Sequence, residues 1–309
     1  MTNEPMANEP MTNEPMTNEP MTNESMTNDQ LGFGHWDFTE SVMHRLRVLG
    51  LVMLAGIKSR MEYRLDFILR VIMGLVWNLT SLIFIWAVLA RFKAMAGWSQ
   101  EEVFFIYTLR LLAHGCYCLL FHNAQVVSRY VRWGDFDRVL LRPLNPLLQL
   151  VIWEYDPAGI GDLGLGLICF VVVTRLLELH WTLPALVFLV LVVAGGCLIE
   201  LSLFLLLNTL VFWTTEAGRL AWLVVGTFSD QFALYPLDIY NALLQFVLTF
   251  LVPVGFMSYY PATLFLDRTE DTLFSPIFAY LTPLVGLALF ALAYSFWRVG
   301  INRYQSTGS

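Results

Sequence analysis

Long, uninterrupted apolar stretches are the feature that most limits how this chain can fold. The clearest cover residues 67–90, 103–120, 160–173, 183–213, 241–259 and 281–299. Most of them approach or exceed the roughly 20 helical residues that cross a bilayer. Strands of a membrane barrel alternate apolar and polar residues, whereas these stretches are continuous. The sequence therefore predicts an all-α integral membrane protein with six transmembrane helices.

The composition and the segments around these stretches agree with that class. Charged residues make up only 14% of the chain, against about 25% in a typical soluble domain. Residues 39–64 are apolar but carry five Lys and Arg residues, a pattern typical of an amphipathic helix in the membrane interface. Residues 259–278 are too polar and too interrupted to span a membrane, and we expect short broken helices there, between spans five and six.

The first 30 residues form a five-residue repeat with six acidic side chains and no Lys or Arg. Proline recurs at every fifth position from Pro5 to Pro20, which blocks a regular helix, and the segment has too little apolar area to offset the entropy of ordering. Most of the net charge of −7 comes from it, since the rest of the chain carries only −1. We predict a disordered acidic tail over residues 1–38 and a transmembrane domain over 39–309.

The distribution of basic residues predicts the orientation. With six spans, twelve Lys and Arg residues share one side with the two termini, and four lie on the other side. Because basic residues concentrate in cytoplasmic loops, we expect a multi-pass protein of the plasma (inner) membrane with both termini in the cytoplasm. The loop between spans two and three then faces the cytoplasm.

That loop contains "RWGDFDRVLLRPLNP", residues 132–146, the most polar short segment between two apolar stretches. The pattern predicts a short helix over 134–141 that Pro143 terminates. Leu140 and Leu141 would give this helix a small apolar face. Two interpretations follow: a rigid element that contacts a partner, or a solvated loop whose arginines only orient the chain.

Among the ionisable residues inside predicted spans, three are candidates for a functional role: Arg110, His114 and Glu200. Such residues cost roughly 2.5–3.5 kcal/mol on insertion scales and often mark a transport pathway. Arg110 has a structural alternative, in which it extends to the interface or pairs with Glu101 or Glu102. His114 lies one turn from Arg110 on the same helix face. For Glu200, the sequence identifies no partner.

Small residues in the spans have a simpler interpretation. We interpret the four cysteines as small apolar residues within helices, because their spacings match no common metal motif. They are Cys116, Cys118, Cys169 and Cys197. Gly195 and Gly196 allow close approach of a second helix, either in this chain or in a dimer.

Three segments resemble motifs of the ABC-2 type permeases, the membrane subunits of ATP-binding-cassette (ABC) exporters. "GDFDRVLLRPLNP" (134–146) is similar to the family pattern G-x-x-D-x-x-L-x-R-P-x-N/S-P. "YPLDIY" (235–240) and "LVPVGFMSYYPATLFL" (251–266) resemble the segments before and at the end of the fifth span. The motifs follow the family order, and the resemblance extends over about residues 40–305.

The resemblance implies roles for particular residues. The loop between spans two and three would carry the coupling helix that docks on a separate ATPase subunit, with residues 39–64 as an interfacial elbow helix. The implied coupling residues are Gly134, Asp135, Asp137, Arg138, Leu141, Arg142 and Pro143. Between spans five and six, an outer gate would include Tyr259, Tyr260 and Pro261.

The resemblance also implies partners. The chain has no G-x-x-x-x-G-K-[ST] phosphate-binding loop, so ATP and Mg²⁺ are expected on a separate ATPase and no cofactor or metal on this chain. A six-span chain is half of an exporter, which implies two ATPases and a second permease, identical or paralogous, within membrane lipids and without nucleic acid. The expected cargo is a lipid, glycan, peptide or drug-like molecule.

Two other functions fit an all-α membrane protein. A polytopic enzyme acting on lipid-linked substrates needs acid–base or nucleophilic groups at one membrane face. Glu154 and Asp156 are the only tight acidic pair beside a predicted span entry, and the five histidines do not cluster in the sequence. A membrane scaffold without transport activity is the third interpretation.

Overall fold

The computed structural model describes residues 63–92, 95–142, 145–153, 156–214 and 216–304. The predicted tail, nearly all of the predicted elbow helix, Pro143 and Glu154 lie outside these ranges. All described residues belong to one compact unit, Val48–Ser309.

The described residues are almost entirely helical, which confirms the all-α class. We number the helices α1 to α11 in chain order. They are α1 Arg64–Phe92, α2 Gln100–Phe121, α3 Val127–Arg132, α4 Phe136–Leu140, α5 Pro146–Trp153, α6 Ala158–Leu176, α7 Leu183–Thr209, α8 217–232, α9 Ala242–Leu251, α10 Val254–Phe265 and α11 Thr282–Ile301. Helix α8 includes a π-helical stretch, Trp222–Ser229.

Five of these segments are long and apolar enough to cross a membrane. They are Arg64–Arg91, Gln100–Arg132, Ala158–Leu176, Leu183–Phe212 and Thr282–Ile301. They correspond to predicted spans one to four and six. A sixth crossing by length and composition would be the bent pair α9 and α10, whose axes differ by 72°.

Helix α2 forms the centre of the bundle. It begins with a capping box, in which Ser99 accepts from the backbone N–H of Glu102 and Glu102 accepts from that of Ser99, an arrangement that fixes a helix N-terminus. A one-turn 3₁₀ segment, His122–Val126, joins α2 to α3. We call the two ends of this axis the Trp98 end, where α2 begins, and the Arg132 end, where α3 finishes.

Glycines bring the helices of the bundle into backbone contact. A Cβ on Gly159 of α6 would lie 2.7 Å from the backbone nitrogen of Leu119 in α2. Gly195 of α7 and Gly286 of α11 touch in the same way, and Gly196 faces Ala113 of α2. Within this chain, Gly195 and Gly196 therefore serve close helix packing, the first of the two uses that the sequence allowed.

The region before α11 corrects the predicted fifth span. A straight helix over 241–259 would separate Asp238 from Tyr259 by about 30 Å. Instead, the Tyr259 hydroxyl donates to Asp238 Oδ1 at 2.7 Å. Pro253 lacks an N–H and lies where the chain turns between α9 and α10, so the pair enters the bundle and returns to the Trp98 end.

Helix α8, rather than the pair α9 and α10, runs between the Arg132 end and the Trp98 end of the bundle. Its first turn lies at the Arg132 end, where a Cβ on Gly218 would meet Ser128 Oγ of α3. Just beyond its last turn, the Ala233 carbonyl accepts from Ser258 Oγ at 3.0 Å, and Asp238 binds Trp98. Over 259–278, where short broken helices were predicted, the chain forms the end of α10 and the 3₁₀ turns Thr269–Asp271 and Pro276–Tyr280.

Candidate functional site

The segment at the Arg132 end contains the residues that the sequence associates with coupling. Gly134 has φ +79°, a backbone region that side chains with a Cβ rarely occupy, and it turns the chain from α3 into α4. Helix α4 is shorter than the predicted 134–141 and spans five residues, Phe136–Leu140. Asp135 precedes its first residue, where the helix dipole favours a carboxylate.

Phe136 anchors this segment to the transmembrane helices. Its ring is fully buried and makes edge-to-face contacts with Trp297 of α11 and with Tyr304, and a tilted contact with Phe212. The predicted apolar face of Leu140 and Leu141 lies at the surface, where the two side chains are 39% and 85% exposed. A helix this short presents one buried side chain per turn, and the aromatic one contributes the larger apolar area.

Asp137 and Tyr304 form a second link between α4 and the chain beyond α11. The Tyr304 hydroxyl donates to Asp137 Oδ1 at 2.8 Å. Burial, the hydrogen bond and the negative charge of Asp137 raise the pKa of Tyr304 to about 12, so the phenol remains a donor at neutral pH. Asp137 is thus used for holding α4 in place, in contrast to the exposed Arg138.

The remaining coupling candidates face outward. The Arg138 side chain is 84% exposed and lies 3.6 Å from Asp135, a solvent-exposed pair of low stabilising value. Arg142 is exposed as well. Behind this surface, the Gln149 side chain of α5 donates to the Val139 carbonyl. The α4 segment therefore has one side anchored to the transmembrane helices. Its opposite side, which we call the front of α4, is exposed and carries charged and apolar residues.

Two of the three predicted intramembrane residues meet in the bundle core. His114 Nδ1 lies 2.7 Å from Glu200 Oε1, joining α2 to α7. Because a carboxylate only accepts, the contact is an Nδ1–H of His114 donating to Glu200. His114 Nε2 in turn lies 3.4 Å from Cys118 Sγ.

Arg110 does not extend to the Trp98 end of the bundle. It is 5% exposed, and Glu102 binds Arg268 instead, at 2.8 Å. The predicted extension of Arg110 to the interface is therefore wrong, whereas its pairing with Glu101 or Glu102 stays a prediction. Packing of α2 between α1, α6 and α7 leaves this face of α2 without access to the surface.

Asp162 of α6 is a buried acid that the sequence analysis missed. It is 3% exposed, and its Oδ1 accepts from Asn78 Nδ2 of α1 at 2.6 Å. The Tyr107 hydroxyl of α2 donates to Asn78 Oδ1 at 3.0 Å. A single aspartate within the apolar stretch "AGIGDLGLG" was the available signal.

Together these residues form a polar stripe along α2. Arg110, His114, Cys118 and His122 recur every fourth residue, a spacing that places them on one helix face over about 18 Å. His122 Nε2 lies 3.4 Å from Asp156, whose other oxygen accepts from the backbone N–H of Ala158. The histidines, dispersed in sequence, therefore include two that share one helix face.

The three predicted gate residues lie at the base of a cluster at the Trp98 end. Tyr259, Tyr260 and Pro261 are buried. Tyr260 shares a hydrogen bond of 2.7 Å with Thr249 of α9, and Asp238 accepts from both Tyr259 and the Trp98 indole. These bonds hold α9 and α10, which we call the re-entrant pair, against the start of α2.

Arg268 completes this cluster. Its guanidinium lies 2.8 Å from Glu102, 4.8 Å from the centre of the Trp98 ring, and donates to the Gly97 carbonyl at 3.1 Å. It thereby ties the chain after α10 to the turn before α2.

Comparison with known families decides the identity of the fold. A family model described as "ABC-2 family transporter protein" matches residues 75–308. The chain belongs to the ABC-2 transporter family. Comparison with curated proteins and with solved structures gave no significant match.

The match covers most of the ABC-2 bundle and all of the site residues. It includes the α4 segment, the polar stripe of α2, and the cluster around Arg268. ABC-2 proteins are membrane components of ABC transporters, so this chain is a permease component of one. The family match begins at residue 75, within α1.

Arg268 gives a stability prediction for this ABC-2 bundle. Arg268→Ala leaves the partly buried Glu102 without its cation and is expected to cost about 1.5–3 kcal/mol. Thermal unfolding in detergent is expected to show a melting temperature lower by about 5 °C.

Asp271→Ala is the matched control, because it removes the exposed partner that lies 3.8 Å from the same guanidinium. Exposed pairs contribute under about 1 kcal/mol, so its melting temperature should stay close to that of the wild type. Equal losses in the two variants would contradict the role of the Glu102 contact.

Proposed function

We propose that this ABC-2 protein is the permease of an exporter that moves a lipid, glycan, peptide or drug-like molecule out of the cytoplasm. A separate nucleotide-binding subunit would bind ATP and Mg²⁺ and supply the energy. The observation that carries this proposal is the α4 segment, where exposed Arg138 and Leu141 stand on a helix whose Phe136 is locked among Phe212, Trp297 and Tyr304.

This geometry is what mechanical coupling requires. A displacement of the exposed front of α4 is transmitted to the ends of α7 and α11 through the contacts of the Phe136 ring, with no flexible segment between them. Close-packed interiors transmit such displacements because their side chains have few alternative arrangements. Gly134, Asp135, Asp137, Arg142 and Pro143 are then the turn, the helix start and the flanks of the coupling surface.

The assembly follows from the family. Two copies of the ATPase subunit and a second permease, identical or paralogous, would complete the transporter in the plasma membrane. Residues 1–38 would be a tail outside the transmembrane domain 39–309.

The polar residues in the bundle core support a route for the substrate or for its charged groups. The tip of the re-entrant pair comes near Gly196, which faces Ala113 of α2, and Ala113 is the neighbour of His114. His114 and Glu200 therefore lie next to the tip of the re-entrant pair, and Arg110 lies one turn nearer the Trp98 end on the same face of α2. Movement of Tyr259, Tyr260 and Pro261 would open this end, as an outer gate.

Orientation is tested by cysteine labelling in intact cells. A membrane-impermeant maleimide should label Arg175→Cys, at the end of α6, and should label Arg138→Cys only after permeabilisation. Both arginines are exposed, and the wild type reports the background from native cysteines. Labelling of Arg138→Cys from outside would refute the cytoplasmic coupling surface.

Partnership is tested by purification from native membranes in mild detergent. An ABC ATPase of about 30 kDa, the size of an ordinary domain, should be recovered with the chain. Recovery of active transporter with no nucleotide-hydrolysing subunit would refute the proposal.

A further inference from the structure

Two side chains in the core of the bundle, Cys118 and Asp162, have no role in the transport proposal and lie beside His114. Ligand atoms of His114, Cys118 and Asp162 all lie within 4.8 Å of one another. Glu200 is added through its bond to His114. From this arrangement, we propose that α2 and α6 bind a divalent d-block cation of the zinc class between them, within the membrane.

The types of ligand favour that class of cation. Imidazole, thiolate and carboxylate together suit Zn²⁺ and its neighbours, whereas Mg²⁺ and Ca²⁺ take oxygen ligands. His114 and Cys118 are four residues apart on α2, so one helix face presents both. Asp162 faces them from α6.

The distances suit a small metal site. Metal–ligand bonds of about 2.0–2.3 Å place neighbouring ligands of a tetrahedral centre roughly 3.5 Å apart. His114 Nε2 and Cys118 Sγ are 3.4 Å apart. The remaining separations, up to 4.8 Å, close with side-chain shifts of about 1 Å.

The second layer of contacts also matches a metal site. Histidine ligands usually donate their other N–H to a carboxylate, which fixes the ring and raises its basicity. Glu200 makes this contact with Nδ1 of His114 and leaves Nε2 facing Cys118. Asn78 orients Asp162 in the same manner, at 2.6 Å.

An unsatisfied oxygen gives independent support. Glu200 is 5% exposed, and its Oε2 has no hydrogen-bond partner among the described residues. This atom belongs to the carboxylate that contacts His114 at Nδ1, on the other side of the ring from Nε2. A buried acceptor without a partner is costly, and a water molecule that enters the core with the cation would satisfy it.

A bound cation offsets charge that the apolar core cannot solvate. Asp162 and Glu200 are both buried carboxyl groups. A divalent cation with the Cys118 thiolate adds one net positive charge beside them. Buried charges are tolerated when they are paired in this way.

Cobalt is the probe for this site, because a thiolate ligand gives Co²⁺ a charge-transfer band in the near ultraviolet. The full chain, purified with a histidine-free tag and stripped of metal, should bind a single Co²⁺ per chain with that band. Zn²⁺ should displace the Co²⁺ and raise the melting temperature relative to protein in chelator.

Two cysteine variants on the same helix provide the decisive comparison. Cys118→Ser should lose the charge-transfer band, while Cys116→Ser, two residues away on α2, should keep it. Glu200→Gln should keep the band and weaken Co²⁺ binding by about 10–100-fold, the usual effect of losing such a contact.

The proposal is overturned by absence of saturable Co²⁺ binding in the wild type, a result that needs no variant to fold. It is also overturned if Cys118→Ser retains the band, which would indicate an adventitious ion only. Neither result depends on an ATPase partner, so the metal site and the transport function fail separately.

Discussion

Replacing Gly159 with valine is expected to prevent the bundle from packing. A Cβ at this position would lie 2.7 Å from Leu119 N, 3.0 Å from Gly115 O and 3.1 Å from Cys118 C. These are backbone atoms of α2, the central helix, and they cannot move aside as a side chain would. Overpacking of this kind costs about 1–3 kcal/mol or more, and we expect the larger value because two helix axes must separate.

The measurement is the yield of monodisperse protein in detergent and its melting temperature. Gly164→Val is the matched control, since it changes the same helix in the same way where no atom lies within 4 Å of the new Cβ. Gly164→Val should behave like the wild type, apart from the small cost of a β-branched residue in a helix. Similar yields and melting temperatures for the two variants would show that α2 and α6 do not touch at Gly159.

Charge reversal at the front of α4 is expected to separate the permease from its ATPase. Arg138→Glu combined with Leu141→Glu changes two side chains that are 84% and 85% exposed. A buried arginine or apolar anchor in an interface contributes about 2–4 kcal/mol, so the amount of ATPase recovered with the chain should fall at least tenfold. The fold should survive, because exposed substitutions change stability by about 0.5 kcal/mol or less.

Arg175→Glu serves as the control at the opposite end of the bundle, where the same exposed charge is reversed. It should leave ATPase recovery unchanged. If the α4 variant also kept its ATPase, with an unchanged melting temperature, the coupling surface would have to lie elsewhere.

The sequence predicted much of this protein because the membrane makes strong demands on local composition. Backbone groups in lipid must be satisfied internally, so long apolar stretches such as Leu183–Phe212 become helices whatever their neighbours. The sequence also pointed to His114, Glu200 and the α4 segment, since charges within or between apolar stretches are costly and therefore conspicuous.

Contacts between distant residues could not be predicted in this way. The sequence placed a straight fifth span over 241–259, because its apolar content suits a crossing helix. The bond between Tyr259 and Asp238 turns that segment back, and α8 connects the two ends of the bundle in its place.

Local composition was enough to predict the membrane class, most of the spans and the polar segment at the Arg132 end, since each depends on one continuous stretch. Which helices touch depends on the packing of the whole bundle. This packing brought Asp162 to His114 and Cys118, and it buried Phe136 while Leu141 stayed exposed. The physical reason is that side-chain partners in a bundle depend on helix rotation and crossing, which glycine contacts such as Gly159 with Leu119 fix only when the whole chain is packed.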